Sequence, residues 1–202
     1  MTTGRRSVWL RATEGSLYAI AAVALAWYAA GHAAAAREQA ALAAELEQSR
    51  AALQSPAHAA RTMAPPAPRA LVGRIEIRRL SLSALAREGV DTRTLRGSVG
   101  HVPGSALPGE AGNSAFAAHR DTFFRPLKGV QKGDEIAVTT KDGEFRYVVS
   151  ATRVVEPSDV SVLRASNEPT LTLVTCYPFD FVGSAPSRFI VTARLVRQKP
   201  RV

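Results

Sequence analysis

Three side chains of this sequence form a set that can do chemistry together: Cys176, His119 and Arg188. Each lies at one end of a short run of apolar or β-branched residues, a pattern that predicts a buried β-strand. In chain order, the three runs are Ser114–Ala118, Leu171–Thr175 and Phe189–Ala193. A reactive group at the end of a strand, beside a loop, is placed to meet a substrate. The sequence therefore predicts an enzyme.

The chemistry that suits this set is nucleophilic attack on a carbonyl group. Free cysteine is mostly protonated at neutral pH, so Cys176 needs a base to become a thiolate. An imidazole such as that of His119 can take the proton. The attacked carbonyl becomes an oxyanion, and loss of one donor to such an oxyanion typically lowers the rate roughly 10²–10³-fold. Arg188 is an always-charged donor suited to that task.

Each of these residues also has a structural interpretation. Free cysteine is often buried in the core, a histidine can cap a strand end through a hydrogen bond, and arginines often cover strand edges. His101, a further histidine, has no motif residue beside it, and we interpret it as structural or as part of the cleft wall.

From about residue 71 onward, the pattern predicts an all-β barrel or sandwich of about eight short strands separated by turns. The predicted strands span 73–77, 97–102, 113–118, 135–140, 145–149, 153–156, 171–175 and 189–196. Asp-Gly at 142–143 predicts a tight hairpin because it accepts positive φ angles. Short helices are predicted at 91–95 and 158–163, the second with Ser158 as its N-cap.

Residues 1–36 are predicted to form a cytoplasmic tail and a membrane anchor. Leu17–Ala36 contains no Asp, Glu, Lys or Arg and is long enough to cross a bilayer core. Arginines precede it, which predicts a single-pass protein of the inner membrane with a cytoplasmic N-terminus and the rest of the chain outside. The competing interpretation is a cleaved signal peptide, since the stretch is mostly alanine and ends in small residues.

Residues 37–70 are predicted to be a stalk and spacer, and residues 71–202 the catalytic domain. Arg37–Leu53 has the composition of a helix, with Leu42, Leu46 and Leu53 on one face, which suits a stalk or a weak self-association seam. Residues 55–70 contain four prolines and are predicted to be a semi-rigid spacer.

Composition excludes several classes of protein. A single cysteine permits no intramolecular disulfide. The net charge of +9 comes from scattered Lys and Arg residues, and no nucleic-acid-binding motif is present, so we predict no nucleic-acid partner. Attraction to an anionic membrane or envelope polymer explains the charge more simply. No metal-ligand cluster or phosphate-binding loop is visible, so no metal or other cofactor is predicted.

Three segments resemble the sortases, a family of membrane-anchored cysteine transpeptidases. Residues 172–176 (Thr-Leu-Val-Thr-Cys) resemble the sortase Thr-Leu-x-Thr-Cys strand. Residues 118–121 (Ala-His-Arg-Asp), followed by Phe-Phe at 123–124, resemble the catalytic-histidine segment, and residues 187–191 resemble the catalytic-arginine strand. The resemblance covers about 71–196 and is strongest to class D sortases, in particular those of Gram-negative bacteria.

The resemblance implies an eight-stranded β-barrel and a cysteine transpeptidase. Cys176 would attack the Thr–Gly bond of an LPXTG-like sorting signal at the C-terminus of a protein substrate, and an amine acceptor would resolve the acyl-enzyme. His119 would protonate the leaving amine and later deprotonate the incoming one, while Arg188 would hold the oxyanion or the substrate backbone. The residues expected to orient the site or contact substrate are Thr175, Asp121, Arg120 and Tyr177.

Other functions remain open at this point. A papain-like cysteine hydrolase would use water as acceptor, but that class places its cysteine on a helix and before the histidine in the chain. An L,D-transpeptidase carries His-Gly just before the cysteine, where Val174 and Thr175 stand here. A membrane-tethered adaptor that binds peptides or envelope polymers would need no catalytic residue at all.

Overall fold

The computed structural model of the chain describes residues 3–52 and 66–200. The chain divides into two compact units between Ala40 and Ala41. The first unit consists of the greater part of helix α1, which spans Thr3–Ala52. Large apolar side chains of this part are exposed, among them Ile20, Val23 and Trp27.

No helix of the described residues contains a stretch long and apolar enough to cross a membrane. The transmembrane helix predicted over Leu17–Ala36 is therefore not supported. Alanine supplies most of this stretch, and its side chain offers little apolar surface. The predicted domain boundaries after residues 36 and 70, and the predicted location, stay predictions.

The second unit is built around a closed β-barrel, which confirms the predicted all-β fold class. Its strands follow the order β1-β2-β3-β4-β7-β8-β6-β5. The pairs β2–β3 and β4–β7 are parallel, and the other pairs are antiparallel. The eight strands are β1 Leu71–Ile77, β2 Leu82–Glu88, β3 Val99–His101, β4 Asn113–Ala117, β5 Glu135–Thr140, β6 Gly143–Val155, β7 Thr170–Tyr177 and β8 Ser187–Pro200.

The barrel interior is filled by alternate residues of the strands, as the two-residue period of a strand requires. The largest side chains of this core include Tyr147, Phe116 and Phe124, each fully buried. The Tyr147 hydroxyl accepts a hydrogen bond from the Gly109 N–H at 2.8 Å. Burial raises the pKa of Tyr147 to about 12. Because the barrel closes on itself, its strands leave no open edge.

The strand count agrees with the sequence prediction, but two of its elements differ. The predicted runs 145–149 and 153–156 are parts of one long strand, β6, and strand β2 was not predicted. The sequence of β2 is Leu-Ser-Ala-Leu-Ala-Arg-Glu, which contains no β-branched residue and consists largely of good helix formers. Tertiary packing therefore decides its conformation.

Strand β2 is covered on its outer face by the end of helix α1. Leu42 and Leu46 pack against Leu85 and are 0% and 2% exposed, and Glu45 accepts a hydrogen bond from Arg87 at 3.4 Å. The helix predicted from Arg37 is confirmed, but these leucines serve intramolecular packing instead of a self-association seam. Leu53 and most of the predicted spacer lie outside the described residues.

The two short helices that the sequence predicted begin at capping carboxylates. Helix α2, Thr92–Gly97, has Asp91 as its N-cap, which accepts hydrogen bonds from the N–H groups of Arg93 and Thr94. The second predicted helix is a 3₁₀ turn, Val160–Leu163, and its cap is Asp159. The predicted Ser158 cap is therefore wrong: the Asp159 carboxylate accepts from Ser161 N–H, and a carboxylate satisfies this free donor well. Two further 3₁₀ turns span Arg78–Leu80 and Arg125–Gly129.

Candidate active site

Cys176 and Arg188 are direct partners across two antiparallel strands. In the β7–β8 ladder, Cys176 stands opposite Arg188, one position before the ladder ends at Tyr177 and Ser187. Side chains directly opposite each other in an antiparallel pair lie on the same face, with Cβ atoms about 4.5–5.5 Å apart. The strand register thus brings the thiol and the guanidinium together.

His119 reaches the same place through the parallel pair β4–β7. Ala117 pairs with Val174, so the same register two residues further on aligns His119 with Cys176. The Ala118 N–H donates to the Val174 carbonyl at 3.2 Å, which continues the register past the end of β4. Neighbouring strands lie about 4.8 Å apart. The imidazole and the thiol are therefore presented side by side from adjacent backbones.

Thr175 holds this junction. Its side chain is buried, and its hydroxyl donates to the Ala118 carbonyl at 2.8 Å. Because Ala118 and Thr175 directly precede His119 and Cys176, this bond fixes the two reactive residues relative to each other. The orienting role predicted for Thr175 is consistent with this placement.

The three side chains line one groove of about 380 Å³. Cys176 and Arg188 are half-buried, whereas His119 is exposed. The other lining residues come from the turn after His119 and from the β7–β8 loop; they are Arg120, Asp121, Gly183, Ser184 and Ala185. A half-buried thiol beside an exposed imidazole is open to a substrate chain that lies along the groove.

Arg188 is held by the backbone near its own position. Its Nη1 donates to the carbonyls of Ser187 at 3.0 Å and Ala185 at 3.4 Å. A guanidinium carries five N–H donors, and within the described part of the chain these two contacts involve one nitrogen. Donors therefore remain for an oxyanion or a substrate carbonyl.

The other residues predicted to support the site fall into different positions. Arg120 is half-buried and donates to two carbonyls of the β7–β8 loop. Asp121 is exposed on the groove rim. Tyr177 does not line the groove; its ring stacks on Phe189 at 6.2 Å and meets Phe179 edge-on at 6.0 Å. It therefore packs beneath Cys176, and a substrate contact for Tyr177 stays a prediction.

His101 lies apart from the groove in a buried polar network. Its Nδ1 is 2.6 Å from a Glu88 carboxyl oxygen, and its Nε2 is 3.0 Å from both the Ala106 carbonyl and the Ser105 hydroxyl oxygen. That hydroxyl donates to the Val102 carbonyl, so Nε2 donates to both of its acceptors. A hydrogen bond thus joins Nδ1 to the Glu88 carboxyl group.

Sequence reasoning missed Glu88, the partner of this histidine. A signal was present, because Leu82, Ala84 and Ala86 share the inward face of β2 and the next inward position is Glu88. Reading that signal required recognition of β2 as a strand. Within residues 3–52 and 66–200, no group of three or more His, Cys, Asp or Glu side chains is placed to hold a metal ion.

Comparison with known proteins agrees with the barrel fold. A family model described as the sortase domain matches residues 75–196. Because this match covers more than half of the chain, the chain belongs to the sortase family.

Individual relatives and structures point the same way. Sortase D of Bacillus subtilis is 37% identical over 125 residues, which cover 61% of this chain and 63% of that protein. Sortase A of Listeria monocytogenes is 28% identical over 130 residues, 62% of this chain and 57% of that protein. The structure of a Clostridium perfringens sortase D5 transpeptidase superposes with a TM-score of 0.58 at 31% identity, over 75% of this chain and 88% of that chain. The chain thus matches less than two thirds of the length of the B. subtilis sortase D and the L. monocytogenes sortase A.

Proposed function

We propose that this chain is a cysteine transpeptidase that cleaves an LPXTG-like sorting signal and transfers the acyl part to an amine. The observation that carries the proposal is the strand register, which aligns His119 and Arg188 with Cys176 from the two strands flanking β7. Membership of the sortase family supports the same reaction class.

In the first half of the reaction, the Cys176 sulfur attacks the carbonyl carbon of the scissile Thr–Gly bond. His119 takes the thiol proton and then gives it to the departing glycine amine. Arg188 donates hydrogen bonds to the oxyanion that forms on the carbonyl oxygen. The C–N bond breaks, a C–S bond forms, and the product is a thioester on Cys176.

In the second half, an amine attacks the thioester carbonyl. His119 accepts a proton from the attacking nitrogen, the C–S bond breaks as the new amide C–N bond forms, and Cys176 regains its proton. The steps mirror those of acylation, so the same three side chains serve both halves. The groove is open along the exposed His119, which gives the second substrate access to the thioester.

The proposal is tested with the full chain and an LPXTG peptide. Mass spectrometry after incubation is expected to show an adduct with the mass of the acyl fragment on Cys176, and added triglycine is expected to release a peptide with a new amide bond. The Cys176→Ala variant serves as the control and should show neither. Absence of an adduct across a library of sorting-signal peptides would contradict the proposed mechanism.

A hydrolase that uses water as acceptor is the second candidate. The exposure of His119 favours it, because water reaches the same position as an amine. The same experiment separates the two candidates: a hydrolase releases the free acid at an unchanged rate when triglycine is added, whereas a transpeptidase diverts the acyl fragment to the amine. A non-enzymatic adaptor would bind the peptide equally well with Ala at position 176 and cleave nothing.

A further inference from the structure

The loop between β7 and β8, residues 178–186, connects the strand of Cys176 to the strand of Arg188 and forms one wall of the groove. Phe179, near its start, is buried in the core. Beyond it the side chains of residues 180–184 are exposed, and Val182 is 94% exposed. A segment with few buried contacts opens easily unless other interactions hold it. The interactions that hold this loop therefore determine the shape of the groove.

Arg120 provides such an interaction. Its Nη2 donates to the carbonyls of Phe181 at 2.6 Å and Gly183 at 2.9 Å, and its guanidinium lies 5.8 Å from the centroid of the Phe181 ring. Gly183 has a φ of 96°, a conformation that favours glycine and directs this carbonyl. Arginine suits the position because its planar group both donates in fixed directions and stacks on an aromatic ring. We call these contacts with Phe181 and Gly183 the Arg120 clasp.

A second contact to the same loop lies outside the groove. Lys128 pairs with Asp180 in an ion pair whose two side chains are 62% and 61% exposed. The hydrogen bond from Lys128 lowers the pKa of Asp180 below its ordinary value. Exposed ion pairs contribute little to stability, whereas charge-assisted hydrogen bonds from a partly buried arginine are stronger. Lys128 is therefore a matched control for Arg120.

We propose that Arg120 is a positioning residue: the Arg120 clasp holds loop 178–186 against the segment that carries His119 and so sets the width of the groove beside Cys176. Arg120 directly follows His119 in the chain, so one side chain links the histidine segment to the loop that joins the other two residues. The consequence for catalysis rests on the proposed function. The consequence for the loop does not.

The first test measures the loop itself. Hydrogen–deuterium exchange of peptides that span residues 179–187 is compared in the wild-type chain, Arg120→Met and Lys128→Met. Arg120→Met keeps the apolar stem and removes the donors, and we expect exchange to rise about tenfold, the factor that corresponds to loss of a charge-assisted contact. Lys128→Met should change exchange less than about twofold. Equal exchange in all three proteins would overturn the inference.

The second test measures catalysis with an LPXTG peptide as acyl donor. Arg120→Met is expected to raise KM for the donor about tenfold while kcat falls less than about threefold, because the groove loses its wall and the reacting groups stay in place. Arg120→Lys should fall between wild type and Arg120→Met, since it keeps the charge without the planar fork. A purely structural role would lower kcat with the active fraction and leave KM unchanged, which would overturn the inference.

The two tests keep the two proposals distinguishable. If the wild-type chain forms no acyl-enzyme but Arg120→Met still shows faster loop exchange, the proposed function is refuted and the Arg120 clasp is supported. If the wild-type chain forms the acyl-enzyme normally but Arg120→Met leaves both loop exchange and KM unchanged, the proposed function is supported and the Arg120 clasp is refuted. If Arg120→Met does not fold, Arg120→Lys and Phe181→Ala leave the barrel core intact and give the same two measurements.

Discussion

Two histidines of this barrel lie in contrasting surroundings. His101 is 1% exposed, and both of its ring nitrogens have partners. His119 is exposed, and in the part of the chain that the structure describes its imidazole has no hydrogen bond or ion pair. The difference separates two uses of one residue type. A buried ring whose two nitrogens are both hydrogen-bonded stabilises the fold, whereas an exposed ring without hydrogen-bond partners at a groove can serve as an acid or a base.

The same contrast extends to the neighbours of each histidine. Around His101, Glu88 and Ser105 are committed to hydrogen bonds within the barrel. Around His119, Cys176 is half-buried and Arg188 contacts two backbone carbonyls close to its own position. Substitutions in the first group are therefore expected to affect unfolding, and substitutions in the second group to affect turnover. The following predictions test that division.

The largest expected effect on turnover is that of Cys176→Ala. Removal of the sulfur eliminates the thioester, so peptide cleavage is expected to fall roughly 10⁴-fold or more. The urea midpoint of unfolding should stay close to that of the wild type, because the thiol is half-buried at a groove. A large loss of stability in this variant would contradict the assignment of Cys176 to the residues that affect turnover alone.

Glu88→Ala should have the largest effect on stability. The change leaves the buried Nδ1 of His101 without its hydrogen-bond partner, and a buried polar group left unsatisfied costs about 1–3 kcal/mol. Urea unfolding measures this change, with Glu156→Ala, at an exposed position, as the control that should stay within about 0.5 kcal/mol. A loss of turnover at unchanged stability would place Glu88 with the groove instead.

Arg188→Lys is expected to lower kcat/KM for peptide cleavage about 10²-fold. Lysine keeps the charge but lacks the planar fork that donates in fixed directions to an oxyanion. Arg194→Lys, at an exposed position of the same strand, is the matched control and should be neutral. Near-normal turnover in Arg188→Lys would remove this residue from the reaction.

A smaller effect is expected at Asp91, the cap of α2, and it depends on pH. The Thr94 hydroxyl donates to Asp91 at 2.7 Å and is the main cause that lowers the pKa of this carboxyl from 3.8 to about 2. Because the pKa is lower in the folded chain, the stabilisation is complete above about pH 4 and disappears as the pH falls through about 2.

Thermal unfolding of the wild type and Asp91→Ala measures this dependence. We expect the wild type to melt a few degrees higher at pH 6, and the two curves to converge as the pH approaches 2. A difference that stays constant down to pH 2 would show that the carboxylate charge has no part in the cap.

The sequence predicted most of the barrel because most of its strands carry their own signal. Runs such as 135–140 and 189–196 alternate or are rich in β-branched residues, and the Asp-Gly turn at 142–143 joins β5 to β6 as expected. β2 carries no such signal: its alanines and leucines suit a helix, and only packing on both faces makes it a strand. Local patterns cannot report a conformation imposed by distant residues.

The candidate active site was also predictable only in part. Cys176, His119 and Arg188 were identified from residue type and position at strand ends, but their alignment depends on the β4–β7 and β7–β8 registers, which join residues far apart in the chain. The contacts of Arg120 with the β7–β8 loop depend on the loop conformation. The pairing of Glu88 with His101 depends on β2, a strand that was not predicted. Pairwise contacts across the barrel are beyond what one sequence encodes locally.

The leucine contact between α1 and β2 matters for anyone who wants to produce this domain in isolation. A fragment cut at residue 71, where the barrel begins, would lack Leu42 and Leu46 and present Leu85 to water. Bare apolar surface of this kind favours aggregation. Cloning from residue 41, with the intervening segment retained, keeps that patch covered and should give the better-behaved sample for crystallisation or NMR.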